Sequence, residues 1–294
     1  MKFNDSCLVL IINLSVCDFI YCCIALPING LQFIYKGNIL SPDVCLWHAI
    51  IRNIVVTADY VTVSVIAISR CGYTTKFKIS TLIQNHAKSF VILIWIYSFG
   101  LLTTYYHIFK AIQKSNLDSG NDIVEFSCDL GMCDFVGKPH VFTANFCFFG
   151  FPCITIAVCY IYIGCYFQQC KKHLQTFRSG KKYYLHIVNN IYDFNTSSIL
   201  CILFSDLDFQ ITKTVFLVSL FYIIAVIPII TNDILICYLE DKNHPLLKTM
   251  SPIVYAIYIL PFSTNFLFYS VANRQYRNAI VHFSTLIKDS FMYW

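Results

Sequence analysis

The stretch from Cys45 to Arg70, CLWHAIIRNIVVTADYVTVSVIAISR, constrains this chain more than any other. Its period and composition are those of one long helix. At about 1.5 Å per residue the step from Cys45 to Arg70 covers roughly 38 Å. A bilayer's hydrocarbon core is about 30 Å thick, so such a rod crosses it with some tilt. Its ends then lie at opposite faces, with a cysteine outside and an arginine inside. A rod of this kind suits a carrier of signals from one face to the other.

Composition supports the membrane reading. The 294 residues are 57% hydrophobic and 13% charged. Soluble domains carry about a quarter charged residues, so this chain has too little polar surface to remain in water. Its apolar residues also come in blocks long enough to span lipid, which predicts an all-α polytopic membrane protein. The net charge of +5 is distributed along the membrane pattern and gives no reason to expect nucleic acid. The 15 cysteines show no CxxC spacing for zinc, and most lie in apolar blocks where a reduced thiol acts as a small hydrophobe. The first apolar block contains Asn13 and Asp18 and no small-residue cleavage site, unlike a signal peptide.

Six spans are expected, at about 8–29, 45–70, 89–109, 139–167, 212–236 and 247–269, followed by a short amphipathic helix over 273–287. Lysines and arginines concentrate in alternate connections, including Arg70, Lys76, Lys78, Lys171, Lys172, Arg178, Arg274 and Arg277. The other connections mix lysine with Asp118, Asp122, Glu125, Asp129, Asp134 and Glu240. The positive-inside rule places the first set, and both termini, in the cytosol. The sequons at Asn4 and Asn195 are then expected to carry no sugar. Within 183–211 the apolar piece Ile199 to Phe204 is too short to span, and that segment has no assigned role.

Several motifs in order resemble the rhodopsin-like (class A) G-protein-coupled receptors over nearly the whole chain. Asn13-Leu14-Ser15-Val16-Cys17-Asp18 resembles the NLAxxD motif of helix two. Cys45 and Arg70 resemble the disulfide cysteine and the DRY arginine of helix three. Trp95 resembles the helix-four tryptophan, and Pro152 with Tyr160 the helix-five proline and tyrosine. Pro228 resembles the helix-six proline, with Asp208 at that helix's inner end. Asn265-Phe266-Leu267-Phe268-Tyr269 is similar to NPxxY, and Asn273-Arg274-Gln275-Tyr276-Arg277 to the start of helix eight. Within the class the chain looks most like the Moody/Tre1 group of invertebrate orphan receptors, with melatonin-type receptors next.

The departures are specific. Ser69 and Cys71 replace the acid and the aromatic that usually flank the arginine, Phe266 replaces a proline, and Val226 replaces the helix-six tryptophan. The resemblance starts at helix two, so the expected bundle is a seven-helix receptor lacking helix one. A truncated gene model or isoform is one explanation, and a six-helix receptor the other.

The resemblance implies a set of site residues. Asp18 and Asn265 would share a sodium site, and Asp59 falls where a serine often completes it. Intramembrane acids are costly unless paired, ion-bound or protonated, so a functional interior site is the default. Two carboxylates there would bind a cation tightly or share a proton. The plainer alternative is that Asp59 hydrogen-bonds a neighbouring helix. No other cofactor is expected. Arg70 would meet the G protein, with Tyr160 and Tyr269 as its active-state neighbours and Asp208 its partner at rest; the alternative is a snorkelling anchor. Cys45 would form a disulfide with Cys128, or else with Cys133. Arg52, two turns below Cys45, would favour an anionic or hydrogen-bond-accepting ligand, unless it pairs internally with Asp233 or loop acids. His48, Asn53, Tyr255, Tyr258 and Trp47 would line the same cavity, although aromatics at helical spacing are more often packing.

The function so implied is transmission of an extracellular ligand signal to a heterotrimeric G protein at the plasma membrane, by a multi-pass protein in contact with lipid. No HExxH, GxSxG or Walker loop suggests an enzyme. An ion-coupled transporter using Asp18 and Asp59 is the rival class, but pseudo-symmetric halves are not evident. A truncated receptor that does not signal is a third possibility.

Overall fold

The computed structural model describes residues 2–35, 42–75, 78–118, 138–184, 206–238 and 245–272. Among these the protein is all α-helical. The first rod is α1 (Lys2–Ile20), a wide π-turn (Tyr21–Ala25) and α2 (Leu26–Tyr35). Then come α3 (Pro42–Thr75), the short α4 (Lys78–Asn85) and α5 (Ala87–Asp118). The fourth long rod is α6 (Lys138–Asn145), a second π-turn (Phe146–Gly150) and α7 (Phe151–Tyr184). Helices α8 (Asp206–Tyr238) and α9 (Pro245–Ala272) complete the bundle.

Prolines explain the local departures from regular helix. Proline has no N–H to donate, and its ring collides with the carbonyl four residues earlier. Pro27 and Pro152 each follow a five-residue π-turn by two positions, where the widened turn makes room for the ring. Pro42 and Pro245 instead open α3 and α9, where a missing N–H costs nothing. Pro228, Pro252 and Pro261 lie inside their helices.

Among the described residues five helices are long and apolar enough to cross a membrane: Cys7–Leu31, Trp47–Thr75, Ala87–Thr104, Phe142–Gln169 and Thr212–Ile236. These correspond to the first five expected spans. The sixth, 247–269, falls within α9, a helix of 28 residues or about 42 Å. The helices run past the expected limits, as α7 does to Tyr184. Helix α4 was not expected at all. The amphipathic stretch 273–287 lies outside the described residues.

Helix α3 is the axis of the bundle. Its apolar window is 83% buried, against 22% to 44% for the other four spans. It packs against α1, α4, α5, α7 and α8, while α9 closes the ring between α8 and α1. The outer helices carry two apolar faces. On the first rod Cys7, Leu10, Leu14, Cys17, Tyr21 and Ala25 are buried, whereas Leu8, Ile12, Val16 and Phe19 stay exposed. Both sets recur at helical spacing. Water would leave the second set costly, so lipid is its natural cover. The chain is a multi-pass membrane protein.

Gly72, near the inner end of α3, sets how α4 docks. A Cβ there would stand 3.0 Å from the Ser80 Cβ and 3.1 Å from the Ser80 backbone nitrogen. Only glycine allows that approach without a shift.

Candidate functional site

Three polar groups lie along the buried side of α3, from the outer end to the inner. The outermost surrounds Arg52. Its guanidinium sits beside Tyr255, Tyr21 and Tyr258, and is close enough to Asp233 to interact electrostatically. No close ion pair joins Arg52 to Asp233 among the described residues, so the internal pairing is a longer-range attraction. The Asn29 amide donates to the Tyr255 hydroxyl at 2.5 Å, tying α2 to α9. Of the residues expected beside Arg52, Tyr255 and Tyr258 are brought to it. His48 is buried, with Nε2 3.3 Å from the Ala25 carbonyl, and fastens α3 to the first π-turn. Asn53 is half-buried, and its carbonyl accepts a hydrogen bond from Thr57. Trp47 is 63% exposed and faces away from the cavity, contrary to the expectation for it. Neighbours on a helix stand about 100° apart, and at this outer end His48 takes the inward side and Trp47 the outward one.

Below Arg52 an aromatic lattice fills the bundle. Tyr21 stacks on Phe262 with centroids 4.1 Å apart. Tyr60 meets Phe149 edge-on at 5.3 Å and Tyr222 at 5.0 Å. Tyr258 meets Phe262 at 5.8 Å and Phe149 at 6.2 Å. Edge-to-face contacts at these separations contribute about 0.5–1.5 kcal/mol each beyond their buried area. Together they link the first rod, α3, the second π-turn, α8 and α9.

The second polar group lies beneath this lattice. The Asn265 Nδ2 donates to both carboxylate oxygens of Asp18, at 3.2 and 3.0 Å, and to the Tyr222 hydroxyl at 2.5 Å. Asp59 is fully buried, and interacts electrostatically with Asp18. The Tyr222 hydroxyl lies beside both carboxylates. Residues from α1, α3, α8 and α9 thus converge on one centre. Neither Asp59 oxygen has a hydrogen-bond partner among the described residues, and neither has the Asn265 Oδ1. Buried polar atoms are nearly always satisfied, and oxygen atoms of this kind are the type of donor that a small, hard cation takes. The Tyr222 hydroxyl of α8 is within reach of Asp59, so the plainer role of bonding a neighbouring helix stays open beside the ion site.

Beside this centre Asn13 bridges three helices. Its amide donates to Thr62 Oγ1 at 2.8 Å, and its carbonyl oxygen accepts from the Trp95 indole at 3.0 Å. The two motif residues Asn13 and Trp95 are thus bonded partners.

The third group surrounds Arg70, which is 1% exposed. Its Nη2 donates to the Cys7 sulfur at 2.8 Å. Tyr160 packs edge-on against Phe216 with centroids 5.0 Å apart, and its hydroxyl lies near the guanidinium and Ser219. A snorkelling anchor would present its head to water, and Arg70 does not. Asp208 and Tyr269 fall on α8 and α9, but their side chains lie outside the described residues, as does that of Cys45 on α3. Cys128 and Cys133 lie outside them too.

The family model for the 7 transmembrane receptor (rhodopsin family) matches residues 1–281. The chain belongs to this receptor family. No curated protein matches it. Membership accounts for the order of the motifs and for the lipid-facing surfaces of this rhodopsin-family receptor. The sequence did not single out Tyr222 or Cys7, which the fold brings to Asn265 and Arg70. A tyrosine at mid-span was a usable signal for the first, because a buried phenol needs a partner. Nothing in the sequence singled out Cys7 from the other thiols.

Proposed function

We propose that this chain is a G-protein-coupled receptor of the plasma membrane, which passes an extracellular ligand signal to a heterotrimeric G protein. One observation carries the reading above all: four helices meet at the Asp18–Asn265–Tyr222–Asp59 centre, midway between the Arg52 cluster and Arg70. Two states of the bundle can differ at such a node, because moving any one helix breaks bonds to the others. A ligand that favours one arrangement shifts the population towards it.

Arg52 and its ring of tyrosines suit a ligand with an anionic or hydrogen-bond-accepting group. Asp18 and Asp59, with Asn265, would hold a sodium ion, which supplies positive charge between the carboxylates when bound. Asp18 and Tyr222 hold the Asn265 amide in place, while Asp59 offers two free oxygens. Arg70 is the group that the G protein meets, with Tyr160 and Tyr269 receiving it in the active state and Asp208 holding it at rest. The Cys45–Cys128 disulfide, with Cys133 as the other partner, would fix the outer end of α3. The Moody/Tre1-like placement rests on the SR, SCD and NRQYR residues.

The test is guanine-nucleotide exchange by a panel of heterotrimeric G proteins in membranes bearing the chain. Exchange above that of Arg70→Ala, at matched surface expression, is the expected result. Equal exchange from both across the panel refutes the reading and leaves the non-signalling fragment in its place.

A further inference from the structure

The second π-turn, Phe146–Gly150, leaves one backbone carbonyl without a donor from its own helix. The Phe151 N–H donates five residues back, to the Phe146 carbonyl. It thereby passes over the Cys147 carbonyl, which it would meet in a regular α-helix. At the same wide spacing the next donor would be residue 152, a proline with no N–H. The donor comes from another helix instead. The Tyr97 hydroxyl of α5 donates to the Cys147 carbonyl at 3.2 Å, across 50 positions of sequence. Tyr97 is 37% exposed, at helical spacing from the exposed Leu93 and on the same face, so the contact lies on the lipid side of the bundle. Lipid tails offer no N–H or O–H in its place, and a bare carbonyl there is costly. Two residues past Cys147, within the same turn, Phe149 is buried and meets Tyr60 and Tyr258 edge-on.

We propose that Tyr97 is a positioning residue: from the lipid side it caps the carbonyl that Pro152 leaves bare, and so holds the π-turn in the shape that carries Phe149 into the aromatic lattice beneath Arg52. The proposal stands independently of what Arg70 meets in the cytosol. Two substitutions isolate the cap. Tyr97→Phe keeps the ring and removes only the donor. Pro152→Ala restores an N–H five residues after Cys147, so that the helix can satisfy that carbonyl itself.

Two measurements on the full chain in lipid nanodiscs test it. The first is thermal unfolding. Tyr97→Phe should lower Tm by about 2–5 °C, the effect of stranding one carbonyl in a chain of this size. In the Pro152→Ala background the same substitution should cost less than about 1 °C. The loss from Phe149→Leu should likewise shrink after Tyr97→Phe, because the ring is then no longer held in place. Additive losses in either cycle overturn the proposal. The second measurement reads the carbonyl itself. Cys147-Phe148 is the one Cys-Phe peptide in the sequence. Labelling the cysteine carbonyl carbon and the phenylalanine nitrogen with NMR-active isotopes therefore selects this peptide in a carbon–nitrogen correlation spectrum. Loss of the hydrogen bond in Tyr97→Phe should move the carbonyl signal upfield. An unmoved signal overturns the proposal, whatever the change in stability.

Discussion

Asp59→Asn removes one negative charge from the polar centre while keeping the shape of the side chain. In the native protein Asp59 is wholly buried, interacts with Asp18, and has no hydrogen-bond partner among the described residues. A buried, uncompensated charge costs several kcal/mol, which a bound cation between the two carboxylates offsets. A ligand at a hundred times its dissociation constant stabilises the folded state by about 2.7 kcal/mol. For a chain of 294 residues that corresponds to a rise in Tm of roughly 4–5 °C. The assay is thermal unfolding of purified protein in nanodiscs, in sodium chloride and in choline chloride at equal ionic strength. The native chain should gain most of that shift in sodium. Asp59→Asn should gain little, and in choline should unfold at or above the native temperature because the like-charge contact is gone. An equal sodium shift in both proteins, or none in the native one, would refute the reasoning.

Other residues give further tests. Ser69→Asp supplies Arg70 with a neighbouring acid, worth about 1.5–3 kcal/mol if bonded, and should lower basal nucleotide exchange about tenfold; an unchanged basal rate would count against a restrained arginine. Asn13→Ala strands the Trp95 indole N–H in the bundle and should destabilise by about 1–3 kcal/mol, seen as a lower Tm; Trp95→Phe in the same background should recover part of the loss. Gly72→Ala puts a methyl 3.0 Å from the Ser80 Cβ. Overpacking there should cost about 1–3 kcal/mol, more than the gain in helix propensity of about 1 kcal/mol. The expected readout is a lower Tm with faster proteolysis of the α4 segment.

Much of the fold was legible because lipid demands long apolar runs and a helix satisfies its own backbone. Hence α3 appears where the stretch from Cys45 to Arg70 required it. Its place at the centre of the bundle was not legible, because burial on every side is set by the helices that pack around it. The helix limits were less legible, because α7 continues past its apolar part into a basic stretch whose composition suggests a loop. The prolines at 27 and 152 were visible, but the π-turns preceding them were not, since the widened turn is the response of a packed helix to the ring. Helix α4 escaped notice because its buried residues, Ser80 and Ile83, are too few for a periodic signal.

The site was legible as residue types and only partly as contacts. Asp18 and Asn265 were expected to meet, and they do, across 247 positions of sequence. That Tyr222 joins them depends on how α8 is rotated, which no local pattern encodes. Trp47 was misplaced for a similar reason: a helix with apolar residues on every side does not declare which face meets lipid.

The account depends most on α3 crossing the bilayer with Arg70 at the cytosolic end. Short epitope tags inserted singly at residue 40 and at residue 76 test this by antibody labelling of living cells. The tag at 40 should be labelled on intact cells, and the tag at 76 only after the membrane is permeabilised. Labelling of the tag at 76 on intact cells would contradict the account.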